Sequence, residues 1–132
     1  MTGDLEKKHT VLLVLCRRVI SDLLIEAIEK RPDMKAIGIY NFSEARSAAA
    51  TYTPQIALVE IPERNGEPAL DALDVCLDIS ESSPGCKIVL LCPEQDKKSV
   101  EVCIEAKKHK RIDDFLFYDS SVDYLVSKLA SV

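Results

Sequence analysis

Glu60 closes the apolar run Ile56-Ala57-Leu58-Val59 and is followed by Ile61-Pro62, so a carboxylate ends a segment that is otherwise hydrocarbon. Arg17 and Arg18 follow a second apolar run, Val11 to Leu15, and supply cations that could pair with it. They stand where a helix should begin, an end whose dipole disfavours positive charge. An ion pair with Glu60 would explain them; a solvated strand end for Glu60 and solvated arginines are the alternative, since carboxylates are seldom buried without partners. Cys16 and Cys92 also close apolar runs, which raises two thiol chemistries, redox cycling or soft-metal binding with Glu60 as a third ligand.

The rest of the chain tempers those readings. The five cysteines, Cys16, Cys76, Cys86, Cys92 and Cys103, are an odd number with no C-x-x-C pair, so neither a disulfide framework nor a zinc site is indicated. Small buried hydrophobes in a reducing compartment is the simpler expectation. His9 and His109 are too isolated to nominate for catalysis. The run Lys107-Lys108-His109-Lys110-Arg111 suits a solvated helix C-terminus, or a docking patch for an acidic partner. Asp113-Asp114 beside it adds local self-complementarity of the kind a symmetric dimer uses.

The elements that must position these residues follow from hydrophobic periodicity. Short continuous apolar runs at Val11–Leu15, Ala36–Tyr40, Ile56–Ile61, Lys87–Cys92 and Asp114–Tyr118 read as strands buried on both faces. Between and after them, helical spacing appears at Val19–Ile28, Ser43–Tyr52 with Ser43 as cap, Ala69–Leu77, Glu94–His109 and Val122–Leu129, punctuated by Pro32-Asp33, Pro54 and Ser82-Ser83-Pro84-Gly85. Strands alternating with helices predict a three-layer α/β domain around a parallel sheet, because parallel neighbours need long crossovers. In such sheets the functional crevice lies at the carboxyl ends of the strands, which singles out Leu15, Cys16, Glu60, Cys92 and Tyr118.

Composition bounds the function. The 132 residues fit a single domain, expected over 1–132 with residues 1–9 as an N-terminal extension, and 47% hydrophobic with 30% charged residues is ordinary for a globular protein. A net charge of −5 argues against direct nucleic-acid binding, and no apolar run approaches a membrane span. A cytoplasmic location is expected.

At these positions the chain resembles the receiver domains of bacterial two-component response regulators. Val11-Leu12-Leu13-Val14 is similar to the first strand of that family, Pro54 to Glu60 to its phospho-acceptor strand, Lys87 to Cys92 to its fourth and Asp113 to Tyr118 to its fifth. The resemblance implies a flavodoxin-like fold with strand order 2-1-3-4-5 and five helices. It also implies where a phosphorylation site should be and that this one is degenerate. Glu60 stands at the acceptor aspartate, Leu15 and Cys16 at the magnesium-binding acidic pair, Cys92 at the switch hydroxyl and Tyr118 at the switch lysine.

Without hard oxygen ligands or the lysine, magnesium binding and phosphoryl transfer lose the cations they need. The expectation is therefore a non-enzymatic pseudo-receiver, without cofactor or metal, that signals by phosphorylation-independent protein interaction. Its partners would be a second copy of itself, a signalling protein, or an output domain outside this chain. The resemblance places receiver dimers on the surface from the fourth helix to the last, here residues 94–130, with Lys108, Arg111, Asp113, Asp114, Tyr118 and Tyr124 as contact candidates. A phospho-accepting receiver and a small-ligand binder in the same crevice are the alternatives.

Overall fold

In the computed structural model, which describes residues 9–132, five strands form one parallel sheet in the order β2-β1-β3-β4-β5. The strands are β1 His9–Val14, β2 Met34–Ile39, β3 Ile56–Glu60, β4 Lys87–Cys92 and β5 Asp114–Phe117. The helices are α1 Arg18–Glu29, α2 Ala45–Tyr52, α3 Pro68–Ser82, α4 Lys97–Lys108 and α5 Val122–Ser131. The parallel sheet is that expected from the alternation, and its strand order is the flavodoxin-like one that the resemblance implied. Of the expected N-terminal extension, residues 1–8 lie outside the described residues, whereas His9 opens β1 opposite Met34.

Two-residue alternation divides the core into two layers. Leu12, Val14, Ala57, Val59, Ile88 and Leu90 pack against α2, α3 and α4, whose inner faces are rich in alanine: Ala45, Ala48, Ala49, Ala69, Ala72 and Ala106. Val11, Leu13, Leu58, Val89 and Leu91 pack on the other side against Leu24 and Ile28 of α1 and Leu125, Val126 and Leu129 of α5. The small alanines let the backbones of α2 and α3 approach closely. Larger side chains fill the side that only two helices cover.

Local signals differ from expectation in two places. Ser43 does not cap α2; it lies inside a 3-10 turn, Phe42–Glu44, that leads into the helix. The only side-chain cap among the described helices is Ser121 of α5, whose hydroxyl accepts from the Tyr124 amide at 3.1 Å. The break after α3 uses Gly85 at φ +92°, a left-handed conformation that glycine adopts without a Cβ clash.

Candidate functional site

The strand ends expected to carry function do converge, and they converge on Glu60. The residue is 1% exposed although it is the last of β3. From Leu15, whose amide continues the sheet by donating to the Ile39 carbonyl at 3.2 Å, the chain turns into α1. That turn brings the amides of Cys16 and Arg17 to the carboxylate, where they donate to Glu60 Oε1 at 2.6 Å and 3.3 Å. The carboxylate thus sits at the positive end of the α1 dipole.

The second oxygen is occupied as well. Glu60 Oε2 accepts from the Tyr118 hydroxyl and lies 3.5 Å from Arg17 Nε. Tyr118 reaches it from the end of β5 across the intervening β4, held by its own amide donating to the Cys92 carbonyl at 3.2 Å. An ionised carboxylate offers about four lone-pair sites; two backbone amides and a phenol fill three of them, and the Arg17 guanidinium adds an ion pair.

Arg17 organises this cluster from the outside. Its Nη2 binds Glu63 Oε1 at 2.7 Å, and its guanidinium lies 4.8 Å from the centre of the Tyr118 ring, a cation–π distance. The Glu63 hydrogen bond raises the guanidinium pKa further, so its charge is permanent. Burial, followed by the hydrogen bond to Glu60 and the charge of Glu60, pushes the Tyr118 phenol above its ordinary value of 10.0, which keeps it a proton donor. Arg18 is not a partner of Glu60; its guanidinium stacks 4.0 Å from the Tyr40 ring centre. Glu60 is therefore not the solvated strand end that composition favoured. Three hydrogen-bond donors and an ion pair, which its long side chain can gather, offset the cost of its burial.

The magnesium that the resemblance associates with this position does not fit these residues. Leu15 is fully buried hydrocarbon, Cys16 is a soft exposed thiol, and the carboxylate oxygens already have their donors. Partial burial and then the negative charge of Glu60 raise the Cys16 pKa, against a smaller pull from Arg64, so this thiol is poorly ionised. Among the described residues, no group of three or more His, Cys, Asp or Glu is placed to hold a metal, and the thiol site built on Cys16, Cys92 and Glu60 is not assembled. Beyond the cluster opens a crevice of about 680 Å3 whose walls include Glu63, Glu94, Asp96 and Asp119. Its one cationic side chain, Arg64, is bound to Asp71 at 2.6 Å. Hydrogen bonding to Asp119, and then the charge of Asp119, raises the Glu94 carboxyl pKa. The crevice wall is acidic and would repel a phosphate.

The candidate dimer face is less coherent than the sequence suggests. Asp113 accepts from the Ile88 amide at 2.8 Å, and Asp114 binds Lys107 at 3.0 Å, so both serve the fold internally. Tyr118 turns inward to Glu60. Arg111 lines a groove between α3 and α4 with Leu73 and Leu77 rather than joining Tyr124. Lys108 and Tyr124 remain exposed, the latter by 50%, with the Lys128 ammonium 6.0 Å from its ring centre. Sequence reasoning missed the role of Glu63, which holds Arg17 in place. Only the parallel order of strand ends, which brings loops distant in sequence together, hints at it.

Known protein structures share this fold. A response regulator from Thermotoga maritima superimposes with a TM-score of 0.75 at 20% identity, over 94% of this chain and 96% of that one. The fold is that of a receiver domain. A CheY-like response regulator receiver domain protein from Methanospirillum hungatei matches with a TM-score of 0.74 at 14% identity, over 94% and 92% of the two chains. A streptococcal protein, from a family of redox sensors evolved from two-component response regulators, matches with a TM-score of 0.73 at 16% identity, over 93% of this chain and 50% of that one. No protein-family pattern and no curated protein sequence matches the chain. Among the described residues of this receiver fold, no helix is long and apolar enough to cross a membrane.

Proposed function

We propose that this chain is a pseudo-receiver, a cytoplasmic signalling module that works by protein–protein binding and without phosphorylation. The observation that supports the reading is the saturation of Glu60. A phospho-acceptor needs an accessible oxygen nucleophile with cations around the incoming group, whereas Glu60 is buried, holds three hydrogen-bond donors and an ion pair, and faces an acidic crevice. The streptococcal redox sensors, evolved from two-component response regulators, are an example of such a change of role.

The first partner we assign is a second copy of this chain, across the surface formed by α4, β5 and α5, with Tyr124 as aromatic anchor and Lys108 on its rim. Such an interface has no step requiring phosphate or magnesium. Its charged rim should weaken with salt, since exposed charges are screened over about 8 to 10 Å at physiological ionic strength. Sedimentation velocity over a range of concentrations, with and without magnesium and an acyl phosphate, tests this. A dimer insensitive to both reagents and weakened in Tyr124→Ala and Lys108→Glu is expected; a strict monomer at high concentration overturns the assignment.

A further inference from the structure

An open groove runs between α3 and α4. Two hollows of about 460 Å3 and about 540 Å3 share Leu73 and Arg111, so they form one trough along the helices. Its floor is apolar, because Leu70, Leu73 and Leu77 recur at i, i+3 and i+7 on α3 and Val102 joins them from α4. Leu70 is 47% exposed and Leu77 58%. Charge is graded along the trough. Glu67 and Glu101 lie toward the helix N-termini, whereas Lys110 and Arg111 follow the C-terminus of α4; Lys98 and Asp74 are the exceptions to this separation. Among the described residues neither Lys110 nor Arg111 makes an ion pair.

The complementary layout lies on the opposite side of the sheet, on α1. Val19 and Leu23 share one face of that helix at i, i+4 and are 73% and 48% exposed. Arg18 opens the helix and Glu26 and Glu29 stand in its last turn, with no acidic residue in the first turn and no basic residue in the last. The helix dipole has the same sign as these charges at each end and adds to them, so α1 is positive where it starts and negative where it stops. Lys30, just beyond, lies 3.8 Å from Glu26, and Glu29 makes no ion pair among the described residues.

We infer that α1 of one copy of this chain docks in the α3–α4 groove of the next, head to tail. With α1 running parallel to α3 and α4, Val19 and Leu23 meet the leucine stripe, Arg18 approaches Glu67 and Glu101, and Glu26 and Glu29 approach Lys110 and Arg111. The reverse direction would set carboxylates against carboxylates. At about 1.5 Å per residue the 12 residues of α1 span about 18 Å and the 15 of α3 about 22 Å, so the whole of α1 fits along the groove. All three helices return across one parallel sheet and point the same way. A parallel dock therefore relates the two copies nearly by a translation, and each copy keeps a free groove or a free α1 for a further neighbour. The contact is heterologous and does not close, which builds an open stack. It is a different surface from the symmetric pair through Tyr124, and with one helix in one groove it belongs to the small class of interfaces.

Sedimentation of mixed variants tests the stack, in a parent chain carrying Tyr124→Ala and Lys108→Glu so that the symmetric pair is silenced. At high concentration the parent should still associate, its mean mass rising past that of a dimer, and less so as salt is added. Val19→Glu with Leu23→Glu removes the docking helix, and Leu70→Glu with Leu77→Glu blocks the groove; each double variant alone should be monomeric. An equimolar mixture of the two should form a dimer and nothing larger, because one intact α1 then meets one intact groove. The four residues are exposed, and circular dichroism checks that the variants fold. If either does not, charge reversal takes its place: Lys110→Glu with Arg111→Glu should abolish association, and adding Glu26→Lys with Glu29→Lys to the same chain should restore it. A monomeric parent, association that persists in either double variant alone, a mixture that stays monomeric, or charge reversal without rescue would overturn the inference. Because the symmetric pair is absent throughout, its failure in the earlier test changes none of these outcomes.

Discussion

The ends of β3 and β4 are neighbours in the sheet, yet their terminal side chains have opposite chemical standing. Glu60 stands where the resemblance puts an acceptor, and its oxygens are held by three hydrogen-bond donors and an ion pair with Arg17. Cys92 is small and wholly buried, and its thiol has one weak acceptor, the Pro93 carbonyl at 3.5 Å. The contrast teaches that the role of a strand-end side chain depends on its partners more than on residue type. A buried carboxylate held by three donors and a cation is a structural bolt. A buried thiol with a single weak acceptor is packing material.

The contrast can be broken from the Glu60 side. Removing both Arg17 and Tyr118 donors, as Arg17→Ala with Tyr118→Phe, leaves a buried carboxylate without its cation or its phenol, and about 3 to 4 kcal/mol of stability should be lost in denaturant unfolding. Tyr118→Phe alone should cost about 2 kcal/mol, the range of a hydrogen bond to a charged acceptor. Both groups act on Glu60 Oε2, and a double-mutant cycle measures how far the pair departs from the sum of the single effects.

The phenol also gives a pH dependence with a definite sign. The folded state holds the Tyr118 proton more tightly than the unfolded chain does. Its contribution is therefore intact below the ordinary value of 10.0 and is lost as pH rises from there through the raised folded value. Unfolding at alkaline pH should show this loss in the wild type, and Tyr118→Phe should flatten it.

Smaller effects sharpen the comparison by separating distance from burial. Arg17 is closer to Glu63, at 2.7 Å, than to Glu60, at 3.5 Å, but the Glu63 side chain is 61% exposed and that of Glu60 only 2%. Water replaces an exposed partner easily, so Glu63→Ala should cost less than about 0.5 kcal/mol despite the shorter contact. Arg17→Ala should cost about 1 to 2 kcal/mol, because the carboxylate it leaves cannot reach solvent. Equal losses in the two variants, measured by the same unfolding experiment, would show that burial is not what distinguishes them.

Much of the scaffold is legible in the sequence because strands buried on both faces must be continuously apolar. Val11 to Leu15 and Lys87 to Cys92 announce themselves in this way, and the alternation with helices determines parallel pairing. Boundaries moved by a residue or two, as at β2, which begins at Met34 rather than Ala36. The site was legible as a set of positions but not as a set of contacts. Whether Arg17 or Arg18 turns to Glu60 depends on rotation at the first turn of α1, and adjacent residues in a helix point about 100° apart. The bond from Tyr118 to Glu60 joins residues 58 apart in sequence and crosses a whole strand, a choice that no local pattern encodes. Asp113 and Asp114 looked free because sequence shows their charge and not the Ile88 amide and Lys107 ammonium that engage them.

The most direct test of the account is intact-mass measurement after incubating the domain with magnesium and a small acyl phosphate, with peptide mapping of any product. The burial and hydrogen bonding of Glu60, the apolar Leu15 and the acidic crevice predict an unchanged mass. A stoichiometric, magnesium-dependent phosphoryl adduct on Glu60 would contradict the account at its centre.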